Sequence, residues 1–267
     1  MSINVIAEIG SNWGGDIELA KQHIKKSKDS GATHVKFQMW RATDLYTQSH
    51  PNWNEIVKSQ LNEDDARELK KFADTIGIEW FASVFYPESV DILESLDVKM
   101  YKIASRTSTL NDNFSLETIQ KVAATQKLTF ISTGEGADKN KITELFKNTL
   151  CKFTYCISQY PTPDSEINWN ELLQYIFFSD HSVGITMPLL FATLKNSKSD
   201  ELFIEKHVKM DDDKGPDSEF SDGRDNLLIH ALLREDVARE KTTLQPLPVA
   251  AEIKKKEVPT LFFFFVL

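Results

Sequence analysis

The stretch FFSDHSVGIT, residues 177–186, opens like a buried β-strand, with two phenylalanines leading in and valine, glycine and isoleucine following. Asp180 and His181 interrupt it with a carboxylate and an imidazole. A parallel strand with an apolar body that turns polar where it ends is the pattern of a strand running out onto a site. Working outward from it, short runs rich in Val, Ile and Phe alternate with longer stretches of helical periodicity, the pattern of repeated βα units. Eight such runs begin at Ile3, Thr33, Ile78, Lys99, Lys127, Cys151, Tyr175 and Leu202. Helices are expected over 16–30, 63–76, 112–126, 138–149 and 224–240, with Asp16, Asn62 and Asp112 placed to cap three of them. Eight strands with helices between them predict a (β/α)8 barrel (TIM barrel), an α/β fold usually built from about 250 residues. The alternative, an open doubly wound sheet, calls for a G-x-G-x-x-G turn after an early strand. EIGSNWGG, residues 8–15, does not supply it.

The chain has 267 residues and a net charge of −9, from 40 acidic and 31 basic side chains. That field repels nucleic acid and anionic membranes, and no basic patch of useful length offsets it. The start, MSINVIAEIG, has no secretory pattern and reads as the first strand, and the apolar end LFFFFVL is far shorter than a spanning helix. Cys151 and Cys156, five apart in one expected strand, face opposite ways and read as reduced thiols of a cytoplasmic protein. After about residue 241 the βα pattern stops. Residues 1–241 are therefore read as one barrel domain and 242–267 as a tail.

In such a barrel the chemistry sits at the C-terminal ends of the strands, and nearly every end here is polar. Glu8 closes the first strand. Lys36 and Gln38 share one face of the second by period-two parity. Ser83 closes the third, Lys102 and Ser105 the fourth, and Ser132 the fifth. Ser158 and Tyr160 follow the sixth, Ser179 and His181 close the seventh, and Glu205 and His207 share a face of the eighth. Two lysines pointing into one cavity repel unless an anion joins them, which favours an anionic ligand over solvent-seeking side chains. Ser105, Ser132 and the amides of STGEG would complete a phosphate cradle, although Ser-Thr-Gly is also an ordinary turn. His181 and His207, 26 residues apart, belong to neighbouring strands and can face one cavity. Two structural histidines are one reading. The other is an open catalytic site for an Mn²⁺-like ion. Asp217 follows a Gly-Pro turn that would aim it over the barrel mouth, whereas Asp211 to Asp213 read as a solvated loop.

With these residues assembled, the chain resembles the sialic acid synthase family, phosphoenolpyruvate-dependent enzymes that make nonulosonic acids. The matching segments, in family order, are IAEIGSNWGG, GATHVKFQ, YKIAS, ISTGEG, QYPTP, FSDHSVGITMPL and IEKHVKMDDDKGPDSEFS. The resemblance implies condensation of phosphoenolpyruvate with the aldehyde of an N-acetylmannosamine-like amino sugar, with release of phosphate. It assigns Lys36, Ser83, Lys102, Ser105, Ser132 and Ser179 to phosphoenolpyruvate, and His181 and His207 to a divalent metal, Mn²⁺ first, with Mg²⁺ or Co²⁺ as alternatives. It assigns Glu8, Gln38, Tyr160 and Asp217 to the sugar or its aldehyde oxygen, with Glu8 and Asp217 managing protons and Ser158 near the same substrate. The metal would polarise the aldehyde, C3 of phosphoenolpyruvate would attack it, and water would trap the cation at C2 before phosphate leaves. There are departures: Trp13 stands where a His is usual, Ala82-Ser83-Val84 replaces Ser-Thr-Pro, Arg106-Thr107 replaces Gly-Glu, and Tyr155 and Ser158 replace a His and an Asn, with Thr107, Tyr155 and Ser158 the changes expected to face the sugar. The antifreeze-like domain of bacterial members is not expected, which leaves a homodimer open but not the domain-swapped type. A related 3-deoxy sugar acid synthase, or a non-catalytic barrel binding a sugar or phosphate, are the competing readings.

Overall fold

The computed structural model describes residues 2–147, 150–195 and 201–210. Asp217, the expected helix 224–240 and the tail 242–267 lie outside the described residues. Within them the strands are β1 (Ile3–Gly10), β2 (His34–Met39), β3 (Glu79–Val84), β4 (Met100–Ile103), β5 (Leu128–Ser132), β6 (Cys151–Thr154), β7 (Phe177–Asp180) and β8 (Leu202–His207). Every ladder is parallel, in the order β6-β5-β4-β3-β2-β1-β8-β7. The two ends of that order meet at a bridge between Tyr155 and Phe178. There Tyr155 N donates to Phe177 O at 3.0 Å and Ser179 N to Tyr155 O at 2.9 Å. The sheet is thus a nearly closed (β/α)8 barrel, and the open doubly wound sheet, whose strand order reverses part-way, is set aside.

The helices Ile17–Asp29, Glu63–Ile76 and Asn113–Ala124 start where their caps predict. Asp16 accepts from Leu19 N, Asn62 from Asp65 N and Asp112 from Ser115 N, each supplying a partner to an amide the first turn leaves unbonded. Two strands end earlier than their sequence suggests. β4 stops at Ile103 because Ser105 begins a helical turn, Ser105–Ser108, pinned by Ser108 Oγ bonding the carbonyls of Ser105 and Ser132. β6 stops at Thr154 because its partner β5 turns away after Ser132, leaving Tyr155 only the bridge to β7.

Period-two alternation explains how the barrel is filled. Ile6, Phe81, Met100, Phe130, Phe177 and Phe203 form one buried inward layer. The Phe130 ring centroid lies 4.7 Å from those of both Phe177 and Phe203. Burying each such ring contributes about 1.5–3 kcal/mol. Two residues further along the same strands, hence on the same face, come Glu8, Ser83, Lys102, Ser132, Ser179 and Glu205. The aromatic layer is the dry floor under the polar one. Outward residues such as Val5, Val35, Trp80, Tyr101 and Ile204 belong to the larger core, shared with the helices.

Candidate active site

Above that floor opens a cavity of about 250 Å³ at the C-terminal ends of the strands. All twelve sequence-selected residues within the described part line it: Glu8, Lys36, Gln38, Ser83, Lys102, Ser105, Ser132, Ser158, Tyr160, Ser179, His181 and His207. Glu205, Cys156, Arg106 and Glu135 line it too. Glu205 was placed on the inner face by its parity with His207, but its partners could not be read from the chain.

Those partners are the two lysines. Lys36 Nζ lies 2.7 Å from Glu8 Oε2 and 3.6 Å from Glu205 Oε2, while Lys102 Nζ lies 2.9 Å from Glu205 Oε1. Ser179 Oγ also donates to Glu205 Oε1 at 2.7 Å, Lys36 Nζ to Ser83 Oγ at 2.8 Å, and Gln38 Nε2 to Glu8 Oε1 at 2.7 Å. This corrects the electrostatic premise drawn from sequence. The two ammoniums do not depend on a ligand to coexist, because the protein's own carboxylates stand between them.

The carboxylates are not equivalent. Burial drives Glu8 up to about 7, with Lys36 pulling the other way and Glu205 adding to the rise. Burial would raise Glu205 as well, but Lys102 and Lys36 outweigh it and hold Glu205 at about 2. Glu205 is therefore the permanent anion of the cavity, and Glu8 is poised to exchange a proton near neutrality. Lys36 is held above its usual range, since Glu205 and Glu8 outweigh the cost of burying it.

Both imidazoles are buried. Burial drives His181 down to about 3, with the neighbouring His207 next in effect, and drives His207 down to about 3, with Lys36 next. Both are neutral at physiological pH. His181 Nδ1 lies 2.7 Å from the Ile157 carbonyl oxygen, so it carries the proton and leaves the Nε2 lone pair toward the cavity, 3.4 Å from Ser179 Oγ. The ring centroids of His181 and His207 are 5.7 Å apart, and the Tyr160 ring, half exposed at the mouth, packs 4.1 Å from that of His181. Among the described residues no three His, Cys, Asp or Glu side chains converge as a metal cage. Two neutral imidazoles, one with its outer nitrogen anchored, fit an ion that keeps positions open for water or substrate oxygen, not a closed structural site.

Next to them the ends of β4, β5 and β6 form a hydroxyl-rich pocket. Ser105 Oγ accepts from Gly134 N at 3.2 Å and lies 3.1 Å from Cys156 Sγ. Cys151 and Cys156 are both free thiols. A Cβ on Gly134 would stand 2.7 Å from Ser158 Oγ and 2.9 Å from Cys156 Sγ, so only glycine lets this backbone come so close.

Three of the departures from the family pattern are structural. Trp13 is buried against Phe37, with ring centroids 6.4 Å apart. Tyr155 packs outward against Tyr175 and Phe178, its hydroxyl accepting from Asn168 N at 2.9 Å. Thr107 is buried and does not line the cavity; its neighbour Arg106 does. Of the altered segments, then, Arg106, Ser83 and Ser158 meet a ligand's space, and Trp13, Tyr155 and Thr107 do not.

The NeuB family model matches residues 23–235. The chain belongs to the NeuB family. An uncharacterised protein of Methanocaldococcus jannaschii is 34% identical over 231 residues, which cover 81% of this chain and 65% of that one. The N,N'-diacetyllegionaminic acid synthase of Campylobacter jejuni is 30% identical over 248 residues, covering 81% of this chain and 71% of the relative. The chain thus spans about two-thirds of the length of these relatives. Among solved structures, the N-acetylneuraminic acid synthetase of Leptospira borgpetersenii in complex with citrate superposes with a TM-score of 0.79 at 24% identity, covering 95% of this chain and 90% of that one. That likeness establishes the barrel. Among the described residues no helix is long and apolar enough to cross a membrane.

Proposed function

We propose that this NeuB-family chain catalyses the condensation of phosphoenolpyruvate with the aldehyde form of an N-acetylmannosamine-like amino sugar, giving a nonulosonic acid and phosphate. The observation that carries the reading is the cavity itself. Two buried lysines and five serines converge beside two neutral imidazoles, over a buried and largely aromatic floor, in a chain similar to synthases of this class.

In this reading Lys36 and Lys102 neutralise the carboxylate and phosphate of phosphoenolpyruvate, and Ser83, Ser105, Ser132 and Ser179 supply hydroxyls, with Gly134 N beside them. Burial of both ammoniums strengthens these contacts. His181 and His207 would hold a divalent cation, Mn²⁺ in first place, which when bound supplies Lewis-acid polarisation of the acceptor carbonyl. Glu8, positioned by Gln38 and Lys36, exchanges a proton with the aldehyde oxygen as C3 attacks, and its raised pKa suits it to that task near neutral pH. Tyr160 and Ser158 border the acceptor at the mouth, and Asp217 is assigned to the same substrate by its sequence context.

Phosphate release from phosphoenolpyruvate, with N-acetylmannosamine and with 6-deoxy diamino analogues, in the presence and absence of Mn²⁺, tests the proposal. Acceptor-dependent, Mn²⁺-stimulated release is expected. No release with any acceptor, in protein shown to bind phosphoenolpyruvate, would overturn it in favour of a binding barrel.

A further inference from the structure

Asp180 belongs to the strand end that carries His181, yet the cavity does not use it. Its carboxylate, 1% exposed, lies on the outer side of β7 and meets Lys206 of β8, also 1% exposed, at 2.7 Å. The same carboxylate accepts from Ser182 N and Ser182 Oγ, each at 3.0 Å, and the Lys206 ammonium donates to the Ser182 carbonyl. These bonds close a ring around the backbone of His181. Asp180 stands opposite Lys206 in the β7–β8 register, so the pair ties the two strands together one residue before each histidine.

Stability alone does not call for charges here. The residues two positions earlier, Phe178 and Ile204, are core, and an apolar pair of similar volume in place of a buried ion pair is often neutral or stabilising. What the pair supplies is direction: an ammonium and a carboxylate satisfied by bonds of fixed geometry hold two backbones at one spacing. The hydrogen bonds that hold the outer ring nitrogen and the carbonyl of His181 come from the loop after β6, while Ser179 Oγ lies 3.4 Å from its inner nitrogen. The Ile157 carbonyl orients the ring, and Thr162 N donates to the His181 carbonyl at 2.8 Å. Neither reaches β8.

We propose that Asp180, Ser182 and Lys206 form a positioning clamp that sets the separation of His181 and His207 and so holds both imidazoles ready for a divalent cation. The inference rests on the metal assignment made above. In this role Asp180 and Lys206 touch neither substrate nor cation; they act through the backbone.

The test is Mn²⁺ affinity and denaturation midpoint in the full chain and in two variants. Asp180→Leu/Lys206→Met replaces the clamp with apolar packing, and Asp180→Glu keeps the charge but lengthens its reach. The double variant is expected to fold with a midpoint near that of the unaltered chain while losing tenfold or more in Mn²⁺ affinity, the scale typical of residues supporting metal ligands. Asp180→Glu is expected to lose affinity in the same direction, and it decides the matter if the double variant fails to fold. A folded variant with unchanged Mn²⁺ affinity overturns the clamp. Failure of the unaltered chain to bind Mn²⁺ overturns the metal assignment instead. The clamp is then judged by the ring NMR signals of His181 and His207: a shift at both in a folded variant supports it, and no shift at either refutes it.

Discussion

Replacing Glu205 with glutamine removes the anion that both buried lysines share while keeping its size. The carboxylate is 2.9 Å from Lys102 and 3.6 Å from Lys36. At an effective dielectric of about 20, attractions over such distances are roughly 5 kcal/mol each before desolvation. Removing a buried carboxylate also relieves its own desolvation penalty of several kcal/mol, and breaking one side of a buried pair leaves a net loss of about 3–5 kcal/mol. Lys36 keeps Glu8, so Lys102, 3% exposed, is the charge left without a counterion. Against a typical stability of about 5–15 kcal/mol, the variant stays folded at 25 °C with a clearly lowered denaturation midpoint. Phosphoenolpyruvate would then restore the missing negative charge without competing against Glu205. It should therefore stabilise Glu205→Gln more than the unaltered chain and bind it tenfold or more tightly, a gain above about 1.4 kcal/mol. Urea denaturation with and without phosphoenolpyruvate, together with calorimetric titration, measures both quantities. Unchanged stability combined with weaker binding would refute the reasoning, because Glu205 would then be a ligand contact and not the internal counterion.

Three further outcomes follow from the same geometry. His181→Ala leaves one of two imidazoles and should abolish Mn²⁺ binding; unchanged affinity in a titration would refute the metal assignment. Between pH 5 and 6 the unfolded state binds nearly two more protons at His181 and His207, both depressed to about 3 by burial, and the folded state binds nearly one more at Glu8, raised to about 7. Stability should therefore rise with pH across that window by about 1.4 kcal/mol per unit, and the slope should roughly double in Glu8→Gln, where the opposing proton is gone; equal slopes in urea denaturation series would contradict the shift assigned to Glu8. Arg106, exposed at the cavity mouth beside Ser105, makes a screened contribution of up to about 1 kcal/mol, so Arg106→Gln should weaken phosphoenolpyruvate binding by no more than about fivefold, an effect that salt removes; a larger, salt-independent loss in titration would place Arg106 inside the site.

Alternation along strands made the inner face legible. Lys36 with Gln38, and Glu205 with His207, could be placed on one side by counting, and the aromatic layer lies two residues below on the same strands. Counting does not reveal who stands across the barrel. Lys102 and Glu205 are 103 residues apart, and their contact exists only because eight strands close into a ring. Substitutions were misread for a related reason. Thr107 and Tyr155 looked like changes to the sugar site because they fall in site motifs, but both are buried and neither lines the cavity. The ends of β4 and β6 were overextended because apolar runs continue into residues whose backbone partners have already turned away.

The central claim is that phosphoenolpyruvate reacts at its carbons and loses phosphate by C–O cleavage after water adds at C2. Phosphoenolpyruvate labelled with ¹⁸O in the bridging position, incubated with an amino sugar acceptor and Mn²⁺, reports this directly by mass spectrometry. The account predicts the label in the released phosphate and a nonulosonic acid whose mass is the sum of acceptor and pyruvate. Label retained in pyruvate, with no condensed product, would show P–O cleavage and contradict it.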